Sequence, residues 1–158
     1  MLSDPAALAL VARYRAGVVL VEDALAGATD ADLDRRGPGT DDWCARQVVH
    51  HLADSETNSY VRLRRLIAEP APTTIQGYDE AHWATVLHYD RPIEASLAVF
   101  RAVRAASGEL LDTLVDADLV RTGVHSESGT YSLADWLAIY ADHAEAHAAQ
   151  IRAARATP

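Results

Sequence analysis

Residues 132–154 read SLADWLAIYADHAEAHAAQIRAA, and the periodicity of this stretch decides the fold class. Ser132 and Asp135 have the spacing of a capping box, in which two side chains reciprocally bond backbone N–H groups at a helix start. Trp136, Ile139, Tyr140, His143, His147 and Ile151 then recur at intervals of three and four. Positions so spaced share one face of a helix, and an apolar face must point into a core. The stretch therefore reads as a long helix ending near Ala154.

Three further helices follow from the rest of the chain. Ser3-Asp4-Pro5 offers a capping side chain and then Pro at the first helical position. Leu8, Val11, Ala12, Val18, Val19 and Leu25 follow at helical spacing, so a first helix is expected to end near Gly27. Ala28 to Thr40 is a polar connection with room for one helical turn, broken by Gly37-Pro38-Gly39. Thr40-Asp41-Asp42 places capping and acidic groups before Trp43. A second helix is expected from there to about Ala68, stopped by Pro70 and Pro72. Ala71 to Gly77 reads as a loop and Asp79 to Leu87 as a short helix. Asp90-Arg91-Pro92 opens a third long helix, from about Ile93 to Leu114. Asp116 to Tyr131 is polar, with Gly123 and Gly129 and space for a short hairpin. Four long helices imply an all-α four-helix bundle formed by a single domain over residues 1–158.

Composition narrows the function classes. The chain has 158 residues, enough for a core that needs no metal or disulfide to fold, so a bound metal would be functional. Formal net charge is −9, and the densest positive cluster is Arg62, Arg64 and Arg65. Nucleic acid and membrane surfaces both demand a positive field, so neither is an expected partner. Cys44 is the only cysteine, which precludes an intrachain disulfide and fits a reducing, cytoplasmic setting. The first ten residues carry neither a basic region nor an uninterrupted apolar run, so no signal peptide is expected.

His143 and His147 lie four apart on one helical face and can ligate one metal. Alone, such a pair is a weak signal and more often describes two surface or hydrogen-bonded histidines. Its place in an apolar stripe favours the metal, because two buried imidazoles need partners. His50 and His51 are adjacent and point about 100° apart. The line through His50 contains Arg46, Gln47, Asp54 and Thr57 and reads as solvated. The line through His51 contains Cys44, Val48, Ser55, Asn58 and Arg62, flanked by Leu52 and Leu66, which makes His51 the more inward candidate and a third ligand. Three histidines leave positions open for water or substrate, as catalytic sites do. His82, His88 and His125 read as surface residues.

The segment WCARQVVHHLADS at 43–55, continuing through Asn58-Ser59-Tyr60 and Arg62, resembles the DinB/YfiT-like superfamily. Tyr78-Asp79-Glu80 with Trp83, and the stretch from His143 to Ile151, are similar to it too, so the resemblance runs from about residue 30 onward. It implies a four-helix bundle whose metal is held by one histidine of the second helix and an HxxxH of the fourth: by position, His51, His143 and His147. Members are provisionally labelled metal-dependent hydrolases. Several transfer low-molecular-weight thiols such as bacillithiol or mycothiol, others are thiol-dependent isomerases, and many are dimers. The chain departs from the pattern in lacking a longer N-terminal extension and in carrying Gln150 where some relatives have another histidine.

The expected activity is thus that of a metal-dependent transferase activating a low-molecular-weight thiol toward an electrophilic small molecule, or of a related hydrolase. The cofactor would be one divalent transition metal (Zn, Ni or Fe), the thiol a co-substrate, and the assembly a homodimer. Ser55, Asn58 and Arg62, down the His51 line, and Tyr78 are candidates for substrate recognition, with Tyr78, Asp79 and Glu80 able to close over the site. Each also has a packing or capping role open to it. The alternative activity is a non-catalytic metal- or ligand-binding stress-response bundle. A Cys44 nucleophile is a third idea, but His51 lies about 10 Å further along the helix axis. Trp43, Trp83 and Trp136 read as core anchors or pocket walls.

Overall fold

Local sequence signals set the helix ends. In the structure, a computed structural model that describes residues 1–37, 39 and 43–156, Asp4 accepts a hydrogen bond from the Ala6 amide and opens α1, Pro5–Leu25. Thr29 and Asp32 cap a single turn, α2, Asp30–Leu33. Helix α3 runs Ala45–Ala68, its first residue preceded by Cys44, whose amide donates to Gln47 Oε1. The expected cap at Thr40-Asp41-Asp42 lies outside the described residues. Asp79 caps the short α4, Glu80–Val86, and α5 spans Glu94–Leu111. The Ser132–Asp135 capping box is formed, with bonds of 2.8 and 3.0 Å between each side chain and the other's amide, and α6 runs Leu133–Ala156.

Helix α1 packs on α6 and α5, and α3 packs on α5 and α6. Consecutive long helices α1 and α3 therefore lie across the bundle from one another, as do α5 and α6. This is not the up-down-up-down order in which sequence neighbours touch.

The connections hold strands that an all-helical reading omits. Strand β1, Thr73–Ile75, lies in the stretch read as a loop and pairs in parallel with β2, Thr122–His125. Strand β3, Gly129–Ser132, returns antiparallel to β2 and leads directly into α6. The hairpin falls where the polar 116–131 segment left room for one. Parallel pairing of residues fifty positions apart leaves no local sequence signal, which is why β1 escapes a reading by pattern.

The core divides in two. One cluster gathers Tyr14, Leu63, Leu111, Trp136 and Leu137 with Ile75 and Tyr131 of the sheet. The other gathers Val21, Val48, Leu52, Phe100, Ala144 and Ile151. On every long helix the residues between these clusters include polar or small groups: Gly17, Glu56, Arg104 and His143. The inward face of α1 is Ala7, Val11, Tyr14, Gly17, Val21 and Ala24, while Leu8 and Val19, which share the helical spacing, are 47% and 55% exposed. Among the described residues no helix is long and apolar enough to cross a membrane.

Candidate metal centre

Adjacent packing of α3 and α6 brings His51 against His143 and His147. One ring nitrogen from each lies within 4.8 Å of the others. The Nε2 atoms of His51 and His147 are each 3.2 Å from Nε2 of His143. Metal–nitrogen bonds of about 2.0–2.1 Å to a tetrahedral ion place ligand nitrogens about 3.3–3.4 Å apart, so the spacing suits a transition metal.

Protonation favours the same chemistry. Burial, then the neighbouring His147 and His143, push the His51 imidazole down to about 3. Burial, then His143, push His147 down to about 4 against the opposing influence of Gln150 and Glu56. Both rings are neutral near pH 7, the form that binds metal. The Gln150 carbonyl oxygen lies 2.7 Å from His147 Nδ1 and accepts its proton, which leaves the Nε2 lone pair pointing at His143. His143 can donate to one neighbouring Nε2 only. The Nδ1 atoms of His51 and His143 are buried and have no hydrogen-bond partner among the described residues. A cation between the three Nε2 atoms would take their lone pairs and turn every Nδ1–H outward, toward an oxygen. Those oxygens are Gln150 Oε1, Glu80 Oε2 at 4.0 Å from His51, and Glu56 Oε1 at 3.9 Å from His143. The residues fit a divalent transition ion.

Beside His143 lies a cavity of about 200 Å³ lined by Ser55, Arg62, Tyr78, Glu80, His125, Glu127, Ile139 and Tyr140. Three of the four recognition candidates, Ser55, Arg62 and Tyr78, are thus at the centre. Asn58 is not: its side-chain amide donates to Asp54 O within α3. Arg62 is held by Tyr140 Oη at 3.0 Å and Gln76 O at 2.8 Å. Its buried Nε, like the Tyr78 hydroxyl, has no partner among the described residues. Burial raises the Tyr78 and Tyr140 phenols and also raises the Glu80 carboxyl. Asp79 serves as the cap of α4. A larger cavity of about 480 Å³, between α1 and α5, includes none of the candidate residues.

Several sequence readings change. His50 is fully buried: its Nε2 lies 2.9 Å from Arg91 O and its Nδ1 2.7 Å from Ser96 Oγ, so it is a satisfied core histidine. Arg46 on the same line is 7% exposed and is neutralised by Asp34 and Asp30. The His50 line faces α5 and the α2 connection, which the bundle order brings over it. Ile139 is 48% exposed at the cavity rim, not in the core. His125, read as a surface residue, lines the cavity. Trp43 sets its ring edge-on to His51 at 5.1 Å, Trp83 packs tilted against Tyr78 at 4.4 Å, and Trp136 is a buried anchor donating to Ser59 O. Cys44 is buried at the α3 cap. Sequence reasoning passed over Glu56 and Arg104, both buried; the available signal was a charge inside each helix's apolar stripe.

Residues 9–151 match the model of the DinB superfamily. A protein of Oceanobacillus iheyensis, provisionally named a metal-dependent hydrolase, is 44% identical over 109 residues, covering 69% of this chain and 63% of the relative. One of Bacillus mycoides with the same provisional name is 39% identical over 113 residues, covering 72% and 65%. The matches thus span less than two thirds of these relatives' length. Among solved structures, YfiT from Bacillus subtilis, described provisionally as a metal-dependent hydrolase with an unusual four-helix bundle topology, superposes with a TM-score of 0.86 at 30% identity, covering 94% of this chain and 85% of that one.

Proposed function

Since this chain belongs to the DinB superfamily, we propose that it is a metal-dependent enzyme in which His51, His143 and His147 hold one divalent transition ion, Zn, Ni or Fe, and a low-molecular-weight thiol is transferred to an electrophilic small molecule. Hydrolysis is the outcome where water replaces the thiol. The observation that supports a catalytic rather than a closed structural site is the polar cavity opening on His143. The thiol rests on the resemblance to thiol-transferring relatives.

Held by His51, His143 and His147, such an ion would supply Lewis acidity that lowers the pKa of a thiol or water nucleophile. The protein supplies the rest. Arg62, braced by Tyr140 and Gln76, offers its Nε–H, and Tyr78 its hydroxyl, to acceptor atoms of the bound molecule. Glu80, on the cavity wall and 4.0 Å from His51, is a carboxylate placed to take the nucleophile's proton. We propose that the protein works as a homodimer, a mass that light scattering checks.

The test is turnover of a panel of thiols with epoxide and halide electrophiles, and of ester and amide substrates without thiol, each with and without chelator. Metal-dependent, thiol-dependent product supports transfer; metal-dependent product without thiol supports hydrolysis. Stoichiometric metal with no turnover in either panel would leave the non-catalytic binding bundle.

A further inference from the structure

Glu56 is a carboxylate with no solvent exposure, in the middle of α3. Its partner is Arg104 of α5, also sequestered, whose Nε and Nη2 donate to Glu56 Oε1 at 3.0 and 2.8 Å. A buried ion pair of this kind is weak evidence for stability, because desolvating both charges offsets their attraction. Its presence calls for another reason.

Arg104 is held from all sides. Nη1 donates to Tyr14 O of α1, and Nη2 donates to Tyr140 O of α6 at 2.6 Å. The approach requires a glycine at position 17, where a Cβ would stand 2.3 Å from Nη1. The guanidinium thereby fixes Glu56 relative to all four long helices.

The Glu56 carboxylate retains acceptor capacity. Tyr14 Oη reaches Oε2 only at a long 3.5 Å, and an ionised carboxylate offers about four lone-pair sites. Facing it at 3.9 Å from Oε1 is His143 Nδ1, buried and without a partner among the described residues. Oε1 already takes both Arg104 bonds, so the free lone pairs are largely those of Oε2, and a carboxylate with spare capacity faces an orphaned ring nitrogen.

We infer that Glu56 is a positioning residue of the metal centre: it receives the Nδ1–H of His143, holds that ring with Nε2 turned toward His51 and His147, and is itself held by Arg104. The inference rests on the metal reading proposed above. Carboxylates behind metal-bound histidines fix the tautomer and raise ligand basicity.

The test titrates metal-free wild type, Glu56→Gln and the double variant Glu56→Gln/Arg104→Met with Zn²⁺ against a chromophoric chelator. Gln keeps the shape, but its one carbonyl oxygen cannot serve Arg104 and His143 as a carboxylate does. The double variant removes the lone buried charge, so the question stays answerable if the single variant does not fold. Circular dichroism checks the helices, and ¹⁵N NMR of the Zn²⁺ forms follows the His143 Nδ1–H. The expected result is Zn²⁺ affinity weakened about 10- to 100-fold in folded variants, with the Nδ1–H signal shifted or exposed to exchange. Unchanged affinity and an unchanged Nδ1–H signal would overturn the inference while leaving the three-histidine site intact. A wild type that takes up no Zn²⁺ would overturn the metal reading, and this inference with it.

Discussion

Lowering the pH of metal-free protein from 7 to 5 should destabilise the bundle through the histidine cluster. His51 and His147 ionise near their ordinary 6.5 when unfolded but near about 3 and about 4 when folded. At pH 5 the unfolded chain has taken up both protons and the folded chain neither. The unfolded state binds more protons across the window from 6.5 down to about 4, so stability falls as pH falls. The 1.5-unit descent below the unfolded value costs about 2 kcal/mol per histidine at about 1.36 kcal/mol per unit, or about 4 kcal/mol for the pair. That is a large part of the 5–15 kcal/mol typical of a folded protein. His50 and His125, also held low by burial, act in the same direction. Glu80 opposes them, because its raised carboxyl binds a proton more readily in the folded state. The assay is urea unfolding at pH 7 and pH 5 with chelator present, in wild type and in His147→Leu, whose loss should be about half. Equal stability at the two pH values, or greater stability at pH 5, would refute the assignment of buried neutral imidazoles.

Gly17→Ala should cost about 1–3 kcal/mol by overpacking, since its Cβ would meet Arg104 Nη1 at 2.3 Å and the Ala144 Cβ at 2.6 Å; a melting temperature at or above wild type contradicts that packing. Tyr78→Phe should leave metal stoichiometry unchanged and weaken substrate binding roughly 2- to 10-fold, the worth of one hydrogen bond, as read from KM. Cys44→Ala should retain activity, because the thiol is buried at a helix cap away from the cavity residues; loss of turnover with metal retained would reinstate the cysteine.

The long helices were legible because capping residues and apolar periodicity are local. The Ser132–Asp135 box and the Asp4-Pro5 start appear in the structure as they read in the sequence. The HxxxH geometry was equally local, and His51 was reachable because it continued the inward line of α3. What failed depended on bundle order. His50 looked solvated until α5 and the α2 connection are known to cover it. Leu8 and Val19 share the helical spacing yet are exposed, because α1 carries apolar residues around most of its circumference and its pattern hardly chooses a face. Glu56, Arg104 and Gly17 come from three helices and mean nothing singly. His125 reaches the cavity through strand pairing between residues fifty positions apart.

The central claim is that three imidazoles converge to hold a metal, and metal content tests it most directly. Protein purified without a His tag or added metal is measured by mass spectrometry beside His143→Ala/His147→Ala. The account predicts near-stoichiometric divalent transition metal in the wild type and almost none in the variant. A metal-free wild type that also fails to take up Zn²⁺ or Ni²⁺ on titration would contradict it.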